Sequence, residues 1–343
     1  MRKRNALIGL AVAAAGVAAG AALEEVVYKR IARRPDPEAN EPIGSVPGKS
    51  VWVESFDGAS LFARTYGSDK AEASIVFSHG VIEHQVVWHY LIRDLRADGR
   101  YKLVAYDHRG HGNSSSARGP RGTTAFNGET LARDMAAVIH ATTEGPVITV
   151  GHSLGGMAAL AYLTAETPHR ERIRGAVLVN STFTAQLAGW RGRGNAMQRT
   201  MERFNDLGRR LAGDDAKRIE RLRPRQGDIG FFASRVTFGR NPSPRHIATA
   251  FQMVQQCASQ TMAAALDLHS YDVFDLLPDI AVPVLIVAGE RDLVTPAFLS
   301  EEMAKHIPDA ELIVFEDCGH MSPFERHDEL TAHVRKFADK VLA

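Results

Sequence analysis

The chain has 343 residues, of which 45% are hydrophobic and 24% are charged. This composition is typical of a globular protein, and the length is sufficient to bury a large core. The formal net charge of +1 excludes the strongly basic surface on which proteins bind nucleic acid, so we expect no nucleic-acid partner. No Cys/His cluster has the spacing of a zinc site, so we predict no metal. We also expect no cofactor. The two cysteines, Cys257 and Cys318, are too few for a disulfide framework, and the sequence leaves open whether they pair.

Residues 1–34 are predicted to interact with a membrane. Three basic residues, Arg2–Arg4, precede an apolar run from Ala6 to Leu23. As a helix this run rises about 27 Å, close to the roughly 30 Å hydrocarbon core of a bilayer. One interpretation is an anchor that is retained, with the rest of the chain outside the cytoplasm. The other is a signal peptide that is cleaved near Ala19–Ala21, which would release a secreted protein. The anchor is favoured because the apolar region of a signal peptide usually has about 7–15 residues.

A linker and then an α/β domain are predicted to follow. Residues 35–49 contain four prolines among glycine, serine and charged residues, which is typical of a linker. Over residues 50–343, strands alternate with helices, which predicts a mostly parallel central sheet with helices on both faces. The predicted strands are Val51–Phe56, Ser60–Tyr66, Ser74–Ser78, Lys102–Tyr106, Val147–Val150, Gly175–Asn180, Pro283–Ala288 and Ala310–Phe315, the first two joined by a hairpin turn at Asp57 and Gly58. The predicted helices are Val87–Ala97, Gly128–Thr142, Leu154–Ala165, Pro296–His306 and Pro323–Val341.

The alternation of strands and helices stops between about Thr182 and Leu277. Helical patterns without a buried strand fill this stretch, including Gly189–Gly213 and His246–Leu268. We therefore predict that residues 182–277 form a helical cap inserted between two strands of the sheet.

The strongest chemical motif is Gly-x-Ser-x-Gly at residues 151–155, between a predicted strand and an alanine-rich helix. In this setting a sharp turn exposes the serine hydroxyl, so Ser153 is the predicted nucleophile. Gly151 and Gly155 leave room where neighbouring backbone passes close. The N-terminus of the following helix places positive charge beside an oxyanion that forms at the serine.

Two further loops are predicted to supply an acid and a base. Asp292 follows one predicted strand and His320 follows the next, which gives the chain order serine, aspartate, histidine. Glu290 is the rival for Asp292, but it comes immediately after its strand and therefore too early. The chain has 14 histidines, and position after a strand near the C-terminus selects His320.

The segment Ser78-His79-Gly80-Val81 also follows a strand. The backbone N–H groups of Val81 and Leu154 are the predicted donors to an oxyanion, and His79 is predicted to brace the loop. The glycine-rich tract 107–114 lacks the patterns of nucleotide-binding loops, so we expect it to shape the edge of the pocket.

These motifs together resemble those of the α/β-hydrolase superfamily from Val51 to Leu342. They are S-H-G at 78–80, Y-D-H-R-G-H-G-N-S at 106–114, G-H-S-L-G-G at 151–156, A-G-E-R-D at 288–292 and C-G-H at 318–320. The details are similar to the branch of single-chain esterases, lipases and cofactor-free haloperoxidases. The resemblance implies a triad of Ser153, Asp292 and His320 with an oxyanion hole at Val81 and Leu154. The N-terminal segment is similar to that of membrane-associated hydrolases of high-GC Gram-positive bacteria.

The expected function is hydrolysis of carboxylic esters through an acyl-enzyme on Ser153. Epoxide hydrolases and haloalkane dehalogenases of this superfamily have aspartate at the position of Ser153, which argues against both activities. A small-molecule ester is the expected substrate, and the membrane segment favours an apolar or lipid ester. The alternatives are haloperoxidase or perhydrolase activity, C–C bond hydrolysis on the same triad, and a binding module without catalysis.

Overall fold

The structure, a computed structural model, describes residues 33–115, 126–185 and 235–343. The predicted membrane segment at Ala6–Leu23 and the predicted helical stretch Gly189–Gly213 lie outside these residues. Within the described ranges, no helix combines the length and the apolar composition that crossing a membrane requires. Cys257 and Cys318 are both buried and are not joined by a disulfide.

Eight strands form one sheet in the spatial order β1-β2-β4-β3-β5-β6-β7-β8. Their bounds are Lys49–Glu54 (β1), Ser60–Tyr66 (β2), Ala73–Ser78 (β3), Tyr101–Tyr106 (β4), Val147–His152 (β5), Ile173–Val179 (β6), Val284–Gly289 (β7) and Ala310–Phe315 (β8). β2 pairs antiparallel with β1 and β4, and every other pair of neighbours is parallel. The predicted mostly parallel sheet is therefore confirmed.

Helices cover both faces of this sheet, as predicted. They are His89–Ala97 (α1), Gly128–Thr142 (α2), Leu154–Thr164 (α3), Pro244–Gln256 (α4), Ser259–Ala264 (α5), Ala297–His306 (α6), Ser322–Glu325 (α7) and His327–Leu342 (α8). Successive residues of β3 contribute to the cores on opposite faces of the sheet, because side chains along a strand alternate between its two sides. Val76 packs in the core under α2, α3 and α6, whereas Ile75 and Phe77 pack in the core under α1, α4 and α8.

Two predicted helices, Leu154–Ala165 and Pro296–His306, are one residue shorter in the structure, and two others differ by more. The helix expected at Val87–Ala97 begins as a 3-10 turn over Gln85–Trp88 and becomes α-helical at His89. The helix expected at Pro323–Val341 is divided into α7 and α8, because Arg326 between them is not helical, with φ −135° and ψ 37°.

The residues predicted to form a cap lie in the chain between β6 and β7, which pair directly in the sheet. The described part of this stretch contains α4, α5 and a 3-10 turn over Ala265–Ser270. A single β-bridge joins its two described ends, Thr184 and Asp272. The extent of the cap, 182–277, stays a prediction.

Carboxylates of the predicted linker, residues 35–49, contact the helices beside it. Asp36 accepts hydrogen bonds at 2.9 Å from the hydroxyl of Ser243, which caps α4, and from the first turn of that helix. Glu41 pairs with His89 of α1 at 2.8 Å. These contacts attach the segment to two helices of the same face of the sheet.

A buried arginine ties the glycine-rich tract to the sheet edge. The Arg109 guanidinium, with no exposed side-chain surface, donates to both carboxylate oxygens of Asp134 at 2.6 Å and to Asp57 at 2.9 Å. Ser55 donates a further hydrogen bond to Asp134 at 2.5 Å. Burial raises the pKa of Asp134, and the guanidinium opposes that effect. Arg109 is therefore a structural cation that holds the β1–β2 hairpin against α2.

Candidate active site

Ser153 alone forms the turn between β5 and α3. β5 ends at His152 and α3 begins at Leu154, which leaves one residue to reverse the chain direction. Its backbone has φ 50° and ψ −115°, a conformation that costs roughly 1–3 kcal/mol for a residue with a Cβ. The Ser153 N–H donates to the carbonyl of Val179 at 3.0 Å, which holds the turn on β6. The strained turn presents the hydroxyl at the carboxyl end of the central strands.

The glycines around Ser153 lie where neighbouring atoms leave no room for a side chain. A Cβ on Gly155 would lie 1.9 Å from the carbonyl oxygen of Ser78, and one on Gly151 would lie 2.3 Å from that of Gly155. A Cβ on Gly156 would lie 2.3 Å from the hydroxyl oxygen of Ser181. The tight turn therefore requires the glycine pattern from which Ser153 was predicted.

Asp292 and His320 meet in the buried interior at the same edge of the sheet. His320 Nδ1 donates to Asp292 Oδ2 at 2.8 Å, which leaves Nε2 as the ring nitrogen for substrate chemistry. Asp292 also accepts from the Thr295 hydroxyl at 2.7 Å and from the backbone N–H groups of Val294 and Thr295 at 2.8 Å. Burial alone would raise the pKa of Asp292, but His320 and these donors outweigh it and hold the pKa below its ordinary value. The carboxylate therefore stays ionised and orients the imidazole.

Glu290, the rival for this role, points elsewhere. Its side chain is exposed, and its Oε2 accepts a hydrogen bond from the N–H of Asp317 at 3.0 Å. The structure thus brings Asp292, and not Glu290, to His320.

Sequence reasoning missed Asn180, which supports Asp292 from a third loop. Asn180 Nδ2 donates to Asp292 Oδ2 at 2.9 Å and to the carbonyl of Gly319 at 3.1 Å. Its φ of 45° lies in the left-handed region, where asparagine is enriched among residues with a side chain. An asparagine directly after β6, at the carboxyl end of a parallel strand, was the signal available in the sequence.

His152, the residue before Ser153, links the Ser153 turn to the loop of His320. His152 Nε2 lies 2.8 Å from the carbonyl oxygen of His320, and the two rings are 4.8 Å apart between centroids. Among the described residues, no side chain is hydrogen-bonded to the Ser153 hydroxyl. The candidate nucleophile and base thus lie on adjoining loops without a direct hydrogen bond between them.

The two predicted oxyanion donors lie in the loop after β3 and at the start of α3. Leu154 is the first residue of α3, so its N–H has no acceptor inside the helix. The N–H of Gly80 is occupied by Glu83 Oε2 at 2.7 Å, and Val81 follows it in the loop. The roles of Val81 and Leu154 stay predictions.

His79 braces this loop by hydrogen bonds. Its Nδ1 donates to the carbonyl of Gly80 at 2.7 Å, and its Nε2 accepts from the N–H of His108 at 3.0 Å. This arrangement needs one proton on the ring, and burial holds the pKa of His79 well below its ordinary value. A neutral histidine with both nitrogens engaged has no free nitrogen to act as a second base.

The loop that carries His320 is hydrogen-bonded to residues of the predicted cap. The N–H of His320 donates to the carbonyl of Thr237 at 2.6 Å. Glu325 accepts from the N–H groups of Gly239 at 2.6 Å and Gly319 at 3.0 Å. Burial raises the pKa of Glu325 to about 7, although these donors oppose the shift.

In the part of the chain that the structure describes, no group of three or more His, Cys, Asp or Glu side chains is placed to hold a metal ion. The candidate site brings together a serine on a strained turn and a buried Asp–His pair.

Comparison with known proteins gives one family and several structural relatives. Residues 73–327 match the family model described as alpha/beta hydrolase fold. A pimeloyl-[acyl-carrier protein] methyl ester esterase from Nitrosomonas europaea is 26% identical over 275 residues, which cover 78% of this chain and 94% of that protein. The esterase EaEST from Exiguobacterium antarcticum superposes with a TM-score of 0.67 at 22% identity, over 85% of this chain and 100% of that one. A membrane phospholipase A, described as a bacterial virulence factor, covers 98% of this chain and 99% of its own with a TM-score of 0.64 at 22% identity.

Proposed function

Because the chain belongs to the alpha/beta hydrolase fold family, we propose that it cleaves carboxylic esters through an acyl-enzyme on Ser153. The observation that carries the proposal is the buried hydrogen bond of 2.8 Å between Asp292 and His320, on the loops next to the strained turn of Ser153. A serine, a histidine and an orienting carboxylate in this arrangement are suited to acyl transfer.

In the proposed first step, Ser153 Oγ attacks the acyl carbon while His320 Nε2 takes the hydroxyl proton. Asp292 stabilises the imidazolium that results, and the N–H groups of Val81 and Leu154 stabilise the tetrahedral oxyanion. The oxyanion then collapses, the bond from carbon to the alcohol oxygen breaks, and His320 gives its proton to the departing alcohol. The acyl group is left on Ser153.

In the second step His320 Nε2 takes a proton from water, which attacks the acyl-enzyme and releases the acid. The proton returns to Ser153 Oγ, so the enzyme is unchanged after one cycle. No group other than the ester and water is consumed.

The finer proposal is that the ester is apolar or a lipid, held near a bilayer. Its support is the apolar run Ala6–Leu23 within residues 1–34, followed by the proposed linker at 35–49, which would keep the site close to the lipid surface. Most of this run is alanine and glycine, which gain little from hydrocarbon, so insertion depends on its few Leu, Ile and Val residues. Among proteins of the same fold, the membrane phospholipase A makes a lipid ester a reasonable class to test.

Labelling with a fluorophosphonate tests the nucleophile, because only an activated serine reacts. We expect wild-type protein to be labelled at Ser153, Ser153→Ala to remain unlabelled, and Ser68→Ala, a change at an exposed serine, to label normally. Wild-type protein that does not react would contradict the enzyme proposal and favour a binding module. A series of p-nitrophenyl esters then tests the substrate class: turnover restricted to acetyl esters would contradict the lipid proposal.

A further inference from the structure

Besides Asp292 and His320, a second carboxylate and imidazole, those of Glu83 and His152, form a pair next to the Ser153 turn. Glu83 Oε2 is 3.0 Å from Nδ1 of His152, and the two side chains are 10% and 0% exposed. The same oxygen accepts the N–H of Gly80 at 2.7 Å. On the other side of the ring, His152 Nε2 is 2.8 Å from the carbonyl oxygen of His320. A continuous chain of hydrogen bonds therefore runs from the loop at Gly80, past Ser153, to His320.

The acceptors around His152 determine its protonation state. A carbonyl oxygen cannot donate, so Nε2 must carry a proton to bond to His320. Nδ1 faces a carboxylate oxygen that already accepts from Gly80, which favours a proton on this nitrogen as well. Burial alone would lower the pKa of His152, but Glu83 outweighs it and raises the pKa. Burial alone would raise the pKa of Glu83, but the charge of His152 lowers it.

The loop that Glu83 holds is strained. Ile82 has a φ of 67°, which is a genuine outlier for a β-branched side chain. Such a conformation persists only where surrounding contacts fix it. The N–H of Ile82 donates to Nε2 of His111 at 3.0 Å, and the N–H of Gly80 donates to Glu83. Val81, the proposed oxyanion donor, lies between these two fixed amides.

We propose that Glu83 and His152 are positioning residues, joined as a carboxylate–imidazolium pair, that hold His320 and the N–H of Val81 in register with Ser153. The inference rests on the proposed function, since the register matters for acyl transfer. His152 is adjacent to the nucleophile in the chain and bonds the backbone of the proposed base. Glu83 bonds the backbone next to the proposed oxyanion donor. Neither side chain is assigned a contact with substrate, so each acts through the loops it holds.

Removing the charge of Glu83 while keeping its shape tests the proposal. Glu83→Gln leaves an uncompensated imidazolium or a neutral His152 that loses one of its two hydrogen bonds, and the strained loop is released. We expect kcat on a p-nitrophenyl ester to fall about 10- to 100-fold, with KM changed less than about threefold. Glu83→Asp, which keeps the charge, should recover part of kcat. Glu129→Gln, at an exposed ion pair with Arg133, is the matched control and should leave both constants unchanged.

Three results would overturn the proposal. They are an unchanged kcat in a folded Glu83→Gln protein, a loss that appears entirely in KM, and equal kcat values for Glu83→Gln and Glu83→Asp. If Glu83→Gln does not fold, His152→Gln carries the test, because it removes the other half of the pair. A folded His152→Gln protein with wild-type kcat would then count against the proposal. Coupling gives an independent check: Glu83→Gln combined with His152→Gln should cost no more than the worse single change, because the residues act as a unit. Fluorophosphonate labelling at Ser153 should persist at a lower rate, so failure of this inference differs from failure of the proposed function.

Discussion

Asn180 donates its side-chain amide to Asp292 across 112 residues of sequence, at a distance of 2.9 Å. The same amide also bonds the carbonyl of Gly319, the residue before His320. One side chain thus contacts both the proposed acid and the loop of the proposed base. Hydrogen bonds to a charged group contribute about 1.5–3 kcal/mol, which is enough to affect the rate if the contact acts on catalysis.

We therefore predict that Asn180→Gly lowers kcat on a p-nitrophenyl ester by about tenfold to a hundredfold with little change in KM. Glycine adopts the φ of 45° at this position without strain, so the variant removes the donor and spares the backbone. Steady-state kinetics measure the effect. A wild-type kcat in Asn180→Gly would show that Thr295 and the backbone donors suffice for Asp292.

Asp292→Asn should lower kcat by roughly four orders of magnitude, as the equivalent change does in a protease triad. The amide cannot stabilise the imidazolium, and it favours the wrong tautomer of His320. Glu290→Gln is the matched control, because Glu290 is exposed and bonds the backbone of Asp317. Kinetics of both variants on one ester decide the assignment, and a larger loss in Glu290→Gln would transfer the acid role to Glu290.

The strain at Ser153 predicts a difference between two inactive variants. A residue with a Cβ at φ 50° and ψ −115° costs roughly 1–3 kcal/mol, which glycine avoids. Compared with alanine, glycine lowers the free energy of unfolding by about 0.4–1 kcal/mol, because it increases the conformational entropy of the unfolded chain. Ser153→Gly should therefore exceed Ser153→Ala in free energy of unfolding by about 1 kcal/mol, measured in urea. Equal stabilities, or a more stable alanine variant, would mean that the turn stores no strain.

Gly155→Ala should lower the free energy of unfolding by about 1–3 kcal/mol or more, because the new Cβ would meet the backbone carbonyl of Ser78 at 1.9 Å. Gly128→Ala is the control, since its Cβ would meet the nearest atom, on Tyr271, at 3.7 Å. That change should stay within about 1 kcal/mol of wild type. Urea unfolding of the two variants side by side provides the measurement, and similar losses in both would contradict the close approach at Gly155.

Glu325 should make stability depend on pH. Its pKa rises from 4.5 in the ordinary state to about 7 in the fold, with burial as the largest cause. A carboxyl with a raised pKa stabilises the fold below pH 4.5, and this contribution is lost as the pH rises through about 7. Relative to Glu325→Gln, wild-type protein should lose on the order of 3 kcal/mol of unfolding free energy between pH 4.5 and pH 8. A difference between the two proteins that stays constant with pH, or grows in favour of wild type, would disprove the shift.

The sequence predicted those parts of the fold that depend on local patterns. Local hydrophobic patterns placed the strands Ser60–Tyr66 and Ala310–Phe315 and the helix Gly128–Thr142 at the bounds that the structure has. Asn180 was predicted as the last residue of a strand, whereas β6 ends at Val179 because Asn180 turns into the left-handed region. A positive φ at a residue other than glycine follows from its tertiary contacts, which no local pattern records.

The candidate site likewise contains residues that a sequence motif indicates and residues that only the tertiary structure reveals. Ser153, Asp292 and His320 follow strands within recognisable motifs, so motif and chain order selected them as candidates. Glu83 and Asn180 belong to no motif, and their partners are 69 and 112 residues away. Their contacts exist because β3, β5, β6 and β7 are consecutive neighbours in the sheet, and the spatial order of strands was not predicted.

The buried cluster of Arg109, Asp57 and Asp134 constrains how this chain can change over evolutionary time. Three apolar residues of similar volume could fill the same space without loss of stability. A single substitution, however, leaves a buried charge without its partner, at a cost of about 3–5 kcal/mol. That cost is a large part of the stability of an ordinary domain, so the intermediates on the path to an apolar cluster would be selected against. The three positions can therefore diverge only together, and lineages that inherit this ion cluster are expected to retain it whatever ester they hydrolyse.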